Sequence, residues 1–286
     1  PVQGVYIDAG ATINPAYAFA NCEFRNGSPG GTLLTIENNQ DLVIGNAIFP
    51  PNTWSGGSNV RKTMNQGSIT FNYATGDFSG ENFDDDPHDL IHWGPLKQLN
   101  LQVLLEGLYA GAGTMNQAYN ESGPQFGAGI ADEITVEFHS GLDYYETEYV
   151  AGHVMLGTNG LASINFPASL SQSYYITIRH RNGLETTTSS PVSFDNETIS
   201  YSFDTPAKAY GNNLLLMSDG YYTIYGGDVN QDGSVDTGDM TPVDNDALNF
   251  ATGYLNTDVN GDGTVDTGDM TIIDNNNAAF VGSITP

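Results

Sequence analysis

An acidic segment of nineteen residues occurs twice near the C-terminal end of this sequence. It reads GDVNQDGSVDTGDMTPVDN over residues 227–245 and TDVNGDGTVDTGDMTIIDN over residues 257–275, and 14 of 18 positions are identical from Asp228 and Asp258 onward. Residues 227–286 contain eleven Asp and no Lys, Arg or Glu. Because so many like charges repel each other in a compact chain, this region requires counter-ions in order to fold.

Each copy places oxygen-bearing side chains at the spacing of an EF-hand-type loop. Such a loop binds calcium through positions 1, 3, 5, 7, 9 and 12, with glycine at position 6, because calcium prefers about six to eight oxygen ligands. The sequence therefore predicts two calcium ions. Positions 7 are expected to contribute backbone carbonyls. The predicted ligands are Asp228, Asn230, Asp232, Ser234, Asp236 and Asp239 in the first loop, and Asp258, Asn260, Asp262, Thr264, Asp266 and Asp269 in the second.

Other positions of the two copies fit the same pattern. Gly233 and Gly263 occupy position 6, where a positive φ lets the chain turn around the ion. Val235 and Val265 occupy position 8 and are expected in a small core. Position 12 is Asp in both copies, where the EF-hand has Glu. This departure, the duplication and the acid-only sequence resemble type I dockerin modules, the calcium-binding loop–helix units of secreted bacterial proteins.

The resemblance implies one short helix in the second half of each repeat, with Pro242 in the first turn of its helix. Structural calcium is favoured over a sensor, because sensor EF-hands open long helix pairs onto a Met-rich groove, whereas these helices are short and Met240 and Met270 are single residues. In cellulosomal dockerins, partner choice lies at loop positions 10 and 11. Glycine at position 11 offers little side-chain contact, so docking to another protein and clamping of the chain's own sandwich both remain open. The four positions are Thr237, Gly238, Thr267 and Gly268.

The residues before the repeats are predicted to be β, because short alternating apolar segments are separated by Gly, Asn, Pro and Ser. Residues 1–96 resemble rungs of a β-solenoid, although a jelly-roll gives similar strands. Residues 97–226 predict an immunoglobulin-like β-sandwich. Residues 227–286 form the dockerin-like calcium module. The run SYYITIRHRNGLETTTSSPVSF is similar to a segment of secreted multidomain surface proteins of Bacteroidetes-type bacteria.

Charge limits the classes of partner. The chain has 34 Asp and Glu against 7 Lys and Arg, a net charge of −27. This balance argues against nucleic acid, which requires clustered basic residues, and against anionic membranes. No apolar run reaches the roughly 20 residues of a membrane span. The sequence begins at Pro1 without a signal peptide, so we expect its numbering to start inside a longer precursor or after processing.

Other groups of residues favour structure over chemistry. His88, Asp89 and His92 spell H-D-x-x-H, but Pro87 and the following WGP argue against a zinc-protease helix and favour a connector with a short helix. Extra calcium on the acidic run Asp84–Asp86 is a further alternative. His180 is expected to face away from its two Arg neighbours. Trp54, Trp93 and three Tyr pairs could stack on sugars, with one ring of each pair pointing inward. The pairs are Tyr144–Tyr145, Tyr174–Tyr175 and Tyr221–Tyr222.

No catalytic arrangement emerges, so the chain is predicted not to be an enzyme. We expect a secreted, extracellular or cell-surface protein with a calcium-stabilised structural or adhesive role. An open solenoid edge would let it associate with itself, even into fibres. The alternative is the carbohydrate-binding and docking portion of a secreted polysaccharide-degrading enzyme. The expected partners are accordingly a second copy of the chain or extracellular glycans.

Overall fold

In the computed structural model, the described part of the chain comprises residues 3–14, 18–25, 31–49, 58–72, 74, 79–94, 96–168 and 170–286. The chain divides into two compact units. The first is Pro1–Lys97 with Phe166–Leu170, and the second is Gln98–Asn165 with Ser171–Pro286. The predicted mainly β chain with a helical C-terminal module is confirmed.

The first unit is built from parallel strands. One sheet has the order β1-β2-β4-β6 and another has the order β3-β5-β7. Val5 pairs with Leu34 and Ile69 with Ile91, so each strand lies beside its counterpart one turn later. Parallel stacking of this kind is that of a solenoid, whereas jelly-roll sheets are antiparallel. The strands are β1 (Gln3–Ile7), β2 (Thr32–Ile36), β3 (Leu42–Gly45), β4 (Val60–Arg61), β5 (Ile69–Asn72), β6 (Asp84–Asp85) and β7 (Ile91–Trp93).

Stacked side chains hold the turns of the solenoid together. The rings of Phe24 and Phe49 stack with centroids 5.3 Å apart, and those of Phe71 and Trp93 with centroids 4.3 Å apart. Asn21 and Asn46 both adopt a left-handed backbone, with φ of 57° and 53°, where asparagine is tolerated. Asn46 Nδ2 donates to Asn21 Oδ1 over 3.0 Å, so successive corners of the solenoid are linked.

The H-D-x-x-H segment forms no helix, which corrects the expected short connector helix. His88 lies in a turn and His92 lies in β7, where its side chain is buried. The carboxylate of Asp86 instead accepts from the backbone of His88 and Ile91, at 3.2 and 2.5 Å. Asp84 accepts from Trp93 Nε1 over 2.6 Å. Neighbouring polar groups in the solenoid therefore already bind these carboxylates.

The second unit begins with a β-sandwich. One sheet has the order β14-β13-β16-β17, with β18 also paired to β16, and the other has the order β15-β8-β19. The first sheet is antiparallel, while β8 and β19 run parallel. The strands are β8 (Leu96–Gln102), β13 (Ile130–Ser140), β14 (Thr147–Gly157), β15 (Leu161–Pro167), β16 (Ser173–Arg179), β17 (Thr186–Thr187), β18 (Val192–Ser193) and β19 (Thr198–Ser202).

Alternation along the strands builds the core of the sandwich. Ile134, Val136 and Phe138 of β13 are buried, and Ile176 and Ile178 of β16 are buried beside them. Every second residue of a strand points to the same face of its sheet, so these side chains all face the interior of the sandwich. Short hairpins border the sandwich: β9 (Tyr109–Gly111) with β10 (Thr114–Met115), β11 (Tyr119–Asn120) with β12 (Gly123–Pro124), and β20 (Leu215–Leu216) with β21 (Tyr222–Thr223).

Two helices follow the acidic loops, α1 (Thr237–Leu248) and α2 (Thr267–Ala278). Each has twelve residues and begins with an Asp capping box, Asp236 with Asp239 in α1 and Asp266 with Asp269 in α2. Both are longer than the predicted short helices. No helix in the described ranges is long and apolar enough to cross a membrane.

Pro242 lies inside α1 rather than in its first turn, which corrects the expectation. It is the sixth residue of the helix, where proline removes a backbone hydrogen bond. The neighbouring Val243 is fully buried in the module core, together with Val235, Val265 and Ile273. Packing of this small core therefore holds α1 together despite the proline, and the inward position expected for Val235 and Val265 is confirmed.

Candidate metal centre

Each acidic loop forms backbone hydrogen bonds with the segment that follows the helix of the other repeat. The segment after α2 pairs with the first loop, where Val235 N donates to Val281 O over 2.9 Å. The segment after α1 pairs with the second loop, where Val265 N donates to Ala251 O over 3.0 Å. Each half of the repeat therefore closes the loop of the other half, which explains why the sequence carries two copies.

The first loop gathers buried carboxylates at positions 1 and 12. Asp228 accepts from the backbone N of Asp232 and Gly233, at 3.1 and 3.2 Å. Asp239 is fully buried and accepts from the backbone N of Asn230 and Asp236, at 3.0 and 2.9 Å. Position 1 and position 12, the two ends of the predicted ligand set, are therefore both turned into the loop.

The second loop repeats this geometry with one difference. Asp258 Oδ2 accepts from Gly263 N over 3.1 Å, and Asp269 accepts from the backbone N of Asn260 and Asp266, both over 2.9 Å. Both carboxylates are fully buried. Among the described residues, no hydrogen-bond partner reaches the buried Asp258 Oδ1. An unsatisfied buried oxygen is costly, and a hard cation would satisfy it.

The predicted ligands at positions 3 and 5 contact each other. Asn230 Nδ2 donates to Asp232 Oδ2 over 2.9 Å, and Asn260 Nδ2 donates to Asp262 Oδ2 over 3.1 Å. At position 9, Asp236 and Asp266 cap the two helices. At position 7, Ser234 and Thr264 lie in backbone bridges to Gly282 and Thr252.

The loops are not arranged as a closed coordination sphere. Within the described ranges, no group of three Asp, Glu, His or Cys side chains is placed to hold a metal. The chemistry of the donor set nevertheless fits calcium, because it consists of oxygen atoms from carboxylates, amides and carbonyls. Binding would require Asp232 and Asp262 to exchange their Asn partners for the ion.

Burial disfavours the ionised form of these carboxylates and so raises their pKa values. It raises the pKa of Asp228 to about 6, an effect that the nearby charge of Asp239 reinforces. Burial also raises the pKa of Asp258 to about 6, although Arg181 acts in the opposite direction. Burial raises the pKa of Asp269 as well. The folded loops therefore favour a bound proton or a bound cation over bare negative charge.

Calcium-free protein should accordingly be more stable at pH 5 than at pH 8. A carboxyl whose pKa is raised on folding contributes stability that is present below its unfolded pKa and is lost as pH rises through its folded pKa. Asp228 and Asp258 place that loss around pH 6. We expect the melting temperature in chelator to rise by several degrees between pH 8 and pH 5. With saturating calcium the rise should shrink to the part that acids outside the loops contribute, such as Glu81, whose pKa burial raises to about 7. A rise of equal size would contradict the role of the loop carboxylates.

Glycine at position 11 has a structural reason in both loops. A Cβ on Gly238 would lie 3.1 Å from Asn230 Nδ2, and one on Gly268 would lie 2.8 Å from Asn260 Nδ2. Glycine at this position therefore leaves room for the side chain at loop position 3. Thr237 and Thr267, at position 10, are exposed.

Arg181 joins the second loop to the sandwich. It follows β16, and its Nη1 donates to the carbonyl of Leu255 and to that of Asp258, the latter over 2.8 Å. The next residue, Asn182, donates from Nδ2 to the carbonyls of Asn256 and Asp258, at 3.1 and 2.9 Å. The backbone at position 1 of the loop is thus bound directly by two sandwich side chains.

A buried acid, Asp132 of β13, organises this contact. Its Oδ2 lies 3.1 Å from His180 Nε2 and 3.2 Å from Arg181 Nε, and its Oδ1 accepts from Tyr254 Oη over 2.5 Å. Burial alone would raise the pKa of Asp132, but His180, Arg181 and Tyr254 hold that pKa well below its usual range. The Arg181 guanidinium also lies over the Tyr254 ring, 4.6 Å from its centroid.

The expected orientation of His180 was wrong. Simple alternation predicts that it faces away from both Arg neighbours, yet His180 and Arg181 share the same carboxylate oxygen. The reason is that β16 ends at Arg179, so the alternation stops there. Arg179 does point elsewhere, to Glu137 and Glu185 at 3.0 and 2.8 Å.

A second contact joins α2 to the sandwich. Glu106 Oε2 accepts from Gly226 N over 2.8 Å and from Asn276 Nδ2 over 2.7 Å, and Asn276 is buried on α2. Sequence reasoning missed Asp132, Tyr254, Glu106 and Asn276. The signal that was available is IRHRN, the only concentration of basic residues in the sandwich sequence, followed by a module without Lys or Arg.

The backbones of the sandwich and the second loop touch at glycine. A Cβ on Gly107 would lie 2.0 Å from Val259 O, and one on Gly261 would lie 2.2 Å from Leu108 Cδ2. Tyr119 N also donates to Gly261 O over 2.9 Å. Position 4 of the loop is Gly261 in the second copy, where it is buried, and Gln231 in the first copy, where it is exposed. The two copies therefore differ at this position because the sandwich lies closer to the second loop.

Gly107→Ala should loosen the module from the sandwich. We expect a loss of about 1–3 kcal/mol in the free energy of unfolding, because the extra methyl group overpacks the contact with Val259. Chemical denaturation in calcium measures it. Gly152→Ala is the matched control, since its Cβ would meet nothing within 4 Å. Equal stability of the two variants would contradict the close contact.

The aromatic residues that the sequence offers for stacking on sugars differ in solvent exposure. Tyr174 is buried and Tyr144 is half-buried, while Tyr145 and Tyr221 are exposed. Trp93 is half-buried against Phe71 in the solenoid. Trp54 lies outside the described residues.

Residues 226–276 match the model of the Dockerin type I domain. Two solved structures cover 66% of this chain and 97% of their own, at 16% identity. Both are mutants of a type II Cohesin-X-Dockerin complex from Acetivibrio cellulolyticus, an N-terminal interface mutant with a TM-score of 0.38 and a C-terminal interface mutant with 0.36. TM-scores this low do not establish a shared fold. The comparison with curated proteins gives no match.

The family match agrees with the site. Dockerin type I domains are calcium-binding docking modules. The matched residues span both acidic loops and most of both helices, α1 and α2. The C-terminal part of this chain is therefore a type I dockerin-like module, carried on a β-sandwich.

Proposed function

We propose that this chain is a non-catalytic, extracellular docking segment whose dockerin-like module is stabilised by calcium and seated on a β-sandwich. Residues 1–96, 97–226 and 227–286 act as its solenoid, sandwich and docking modules. The observation that carries the proposal is the pair of loops with buried carboxylates, including the unpartnered Asp258 Oδ1 among the described residues. A calcium-rich medium outside the cell suits loops of this kind, since extracellular sites often bind calcium weakly.

Two calcium ions complete the module in this proposal. The first is bound by side-chain oxygens of Asp228, Asn230, Asp232, Asp236 and Asp239 with the carbonyl of Ser234, and the second by the corresponding atoms of Asp258, Asn260, Asp262, Asp266, Asp269 and Thr264. The ions neutralise part of the charge of eleven Asp. They also order the loops that pair with the segments after the helices, so calcium and folding are coupled.

The clamp and the docking interpretations are compatible. Arg181, Asn182 and Glu106 of the sandwich bind one side of the module. Thr237, Thr241 and Asp244 of α1 remain exposed on another side. We therefore place the partner on the helices, and we propose a protein partner of the cohesin kind, because the family that matches is a docking family.

Binding to a panel of purified type I and type II cohesin modules tests this function. The full chain is immobilised, and biolayer interferometry is recorded in calcium and in chelator. We expect at least one cohesin to bind in calcium and to dissociate in chelator. Absence of binding across the panel would contradict the docking function while leaving the calcium sites standing.

A second candidate function is self-association through the solenoid. Strand β1 is an edge strand of its sheet within the described residues, and Val5 and Tyr6 on it are exposed. An edge with free backbone groups can pair with another strand. A second copy of the chain would extend the sheet into a fibre with an adhesive or structural role. Negative-stain images that show only separate monomers in calcium would exclude it.

A further inference from the structure

Two phenylalanines project from equivalent positions of the dockerin-like module. Phe250 follows α1 and Phe280 follows α2, and their side chains are 87% and 92% exposed. A large apolar side chain usually gains stability only when it is buried. Neither ring gains it here, so the fold of the module does not explain why the sequence places Phe at both sites.

The backbone at these two residues is unfavourable for phenylalanine. Phe250 has φ of 53° and Phe280 has φ of 54°, the left-handed conformation in which helices commonly end on glycine. A residue with a Cβ is disfavoured there, because the Cβ crowds the following carbonyl oxygen. Gly or Asn would serve the fold better at both positions. Contact of the rings with another molecule would give them the burial that the module does not provide.

The backbone at both phenylalanines is held by hydrogen bonds. Phe250 N donates to Ala247 O over 3.1 Å, and Phe280 N donates to Asn277 O over 2.9 Å. The next residues, Ala251 and Val281, pair with the two loops. The backbone that carries each exposed ring is therefore fixed next to a segment that pairs with a calcium loop.

The module that carries the two rings is acidic. Asp244 and Asp274 are exposed on the two helices, and residues 227–286 contain no Lys, Arg or Glu. Leu248, 78% exposed, adds apolar surface beside Phe250. A second copy of this acidic module would be repelled. The surface instead complements an apolar pocket that Lys or Arg residues border.

We propose that Phe250 and Phe280 are the apolar anchors through which the module binds a protein partner with basic residues around an apolar pocket. This inference rests on the proposed docking function and names the residues and the partner chemistry. Buried aromatic anchors commonly dominate the binding energy of an interface. The acidic surroundings steer the partner and make association dependent on salt.

The test compares three forms of the full chain in calcium, each against the panel of type I and type II cohesins. We expect F250A/F280A to bind at least about thirty-fold more weakly than the wild type, as for truncated hot-spot residues. Leu142→Ala is the matched control. Leu142 is 96% exposed in the β13–β14 hairpin, so its loss should leave cohesin binding unchanged. Wild-type binding should also weaken as salt rises.

The outcomes separate the inference from the proposed function. Wild-type binding that F250A/F280A retains would overturn the anchors and leave docking intact. No wild-type binding to any cohesin would overturn docking, and the anchors with it. Sedimentation showing a wild-type dimer that F250A/F280A abolishes would replace the partner by a second copy and overturn the basic pocket. Melting curves of F250A/F280A should match or exceed those of the wild type, because no buried contact is lost.

Discussion

Arg181→Met should destabilise the second unit by about 3–5 kcal/mol, because it removes one partner of a buried ion pair. Asp132 would remain fully buried, the carbonyl of Leu255 would lose the Arg181 donor, and the carbonyl of Asp258 would keep only Asn182. Methionine keeps most of the volume of the arginine side chain, so the loss in the free energy of unfolding reflects the missing charge and hydrogen bonds. Denaturant unfolding of the full chain in calcium measures the change in free energy.

Arg179→Met is the control from the same sequence segment. The Arg179 side chain is 40% exposed, although it contacts both Glu137 and Glu185. Because solvent reaches Arg179, its ion pairs should contribute less than the buried pair of Arg181, although the side chains of Glu137 and Glu185 are only 15% and 18% exposed. If the two variants lose equal stability, Arg181 does not carry the attachment of the loop to the sandwich.

Asp258→Asn should have opposite effects with and without calcium. In chelator the variant should be as stable as the wild type or more stable, because it removes a charge whose burial is unfavourable. In calcium the wild type should gain about 2.7 kcal/mol per site at a concentration of a hundred times Kd. The variant should lack the part of this stabilisation that calcium in the second loop provides. Melting temperatures recorded in both media reveal the crossover.

Asp244→Asn controls for charge alone. Asp244 is exposed on α1 and lies outside both loops, so its removal should leave the response to calcium intact. A calcium response of Asp258→Asn equal to that of the wild type would show that this carboxylate is not a ligand.

The module is the part of the fold that the sequence predicts best, because its signals are local. Ligand spacing, the glycine at position 6 and the valine at position 8 all lie within one loop. Helix α1 extends beyond its predicted end because Ala247 and Leu248, both strong helix formers, continue it, and it begins at Thr237, five residues before Pro242. The packing of Val243, which is tertiary, outweighs the proline.

The attachment of the module to the sandwich could not be predicted, because it joins residues that are distant in the chain. Asp132, Arg181 and Asp258 come together only when β13 and β16 have paired. Even so, the difference between Gln231 and Gly261 carried a signal. A glycine in only one of two near-identical loops indicates that another part of the chain approaches that loop closely.

The solenoid was one of two alternatives for a related reason. Short apolar strands separated by Asn and Gly fit parallel turns and antiparallel sheets equally well. Only the pairing of strands such as β2 and β4 distinguishes them, and that pairing is not local.

A calorimetric titration of the chelator-stripped full chain with calcium counts the bound ions. We expect two bound ions for the wild type and one each for Asp228→Asn and Asp258→Asn. The first loop is more exposed than the second, since Asn230 is exposed and Asn260 is half-buried, so the two ions should bind with different affinities. Two sites in either variant, or none in the wild type, would contradict the assignment of the loops as calcium sites.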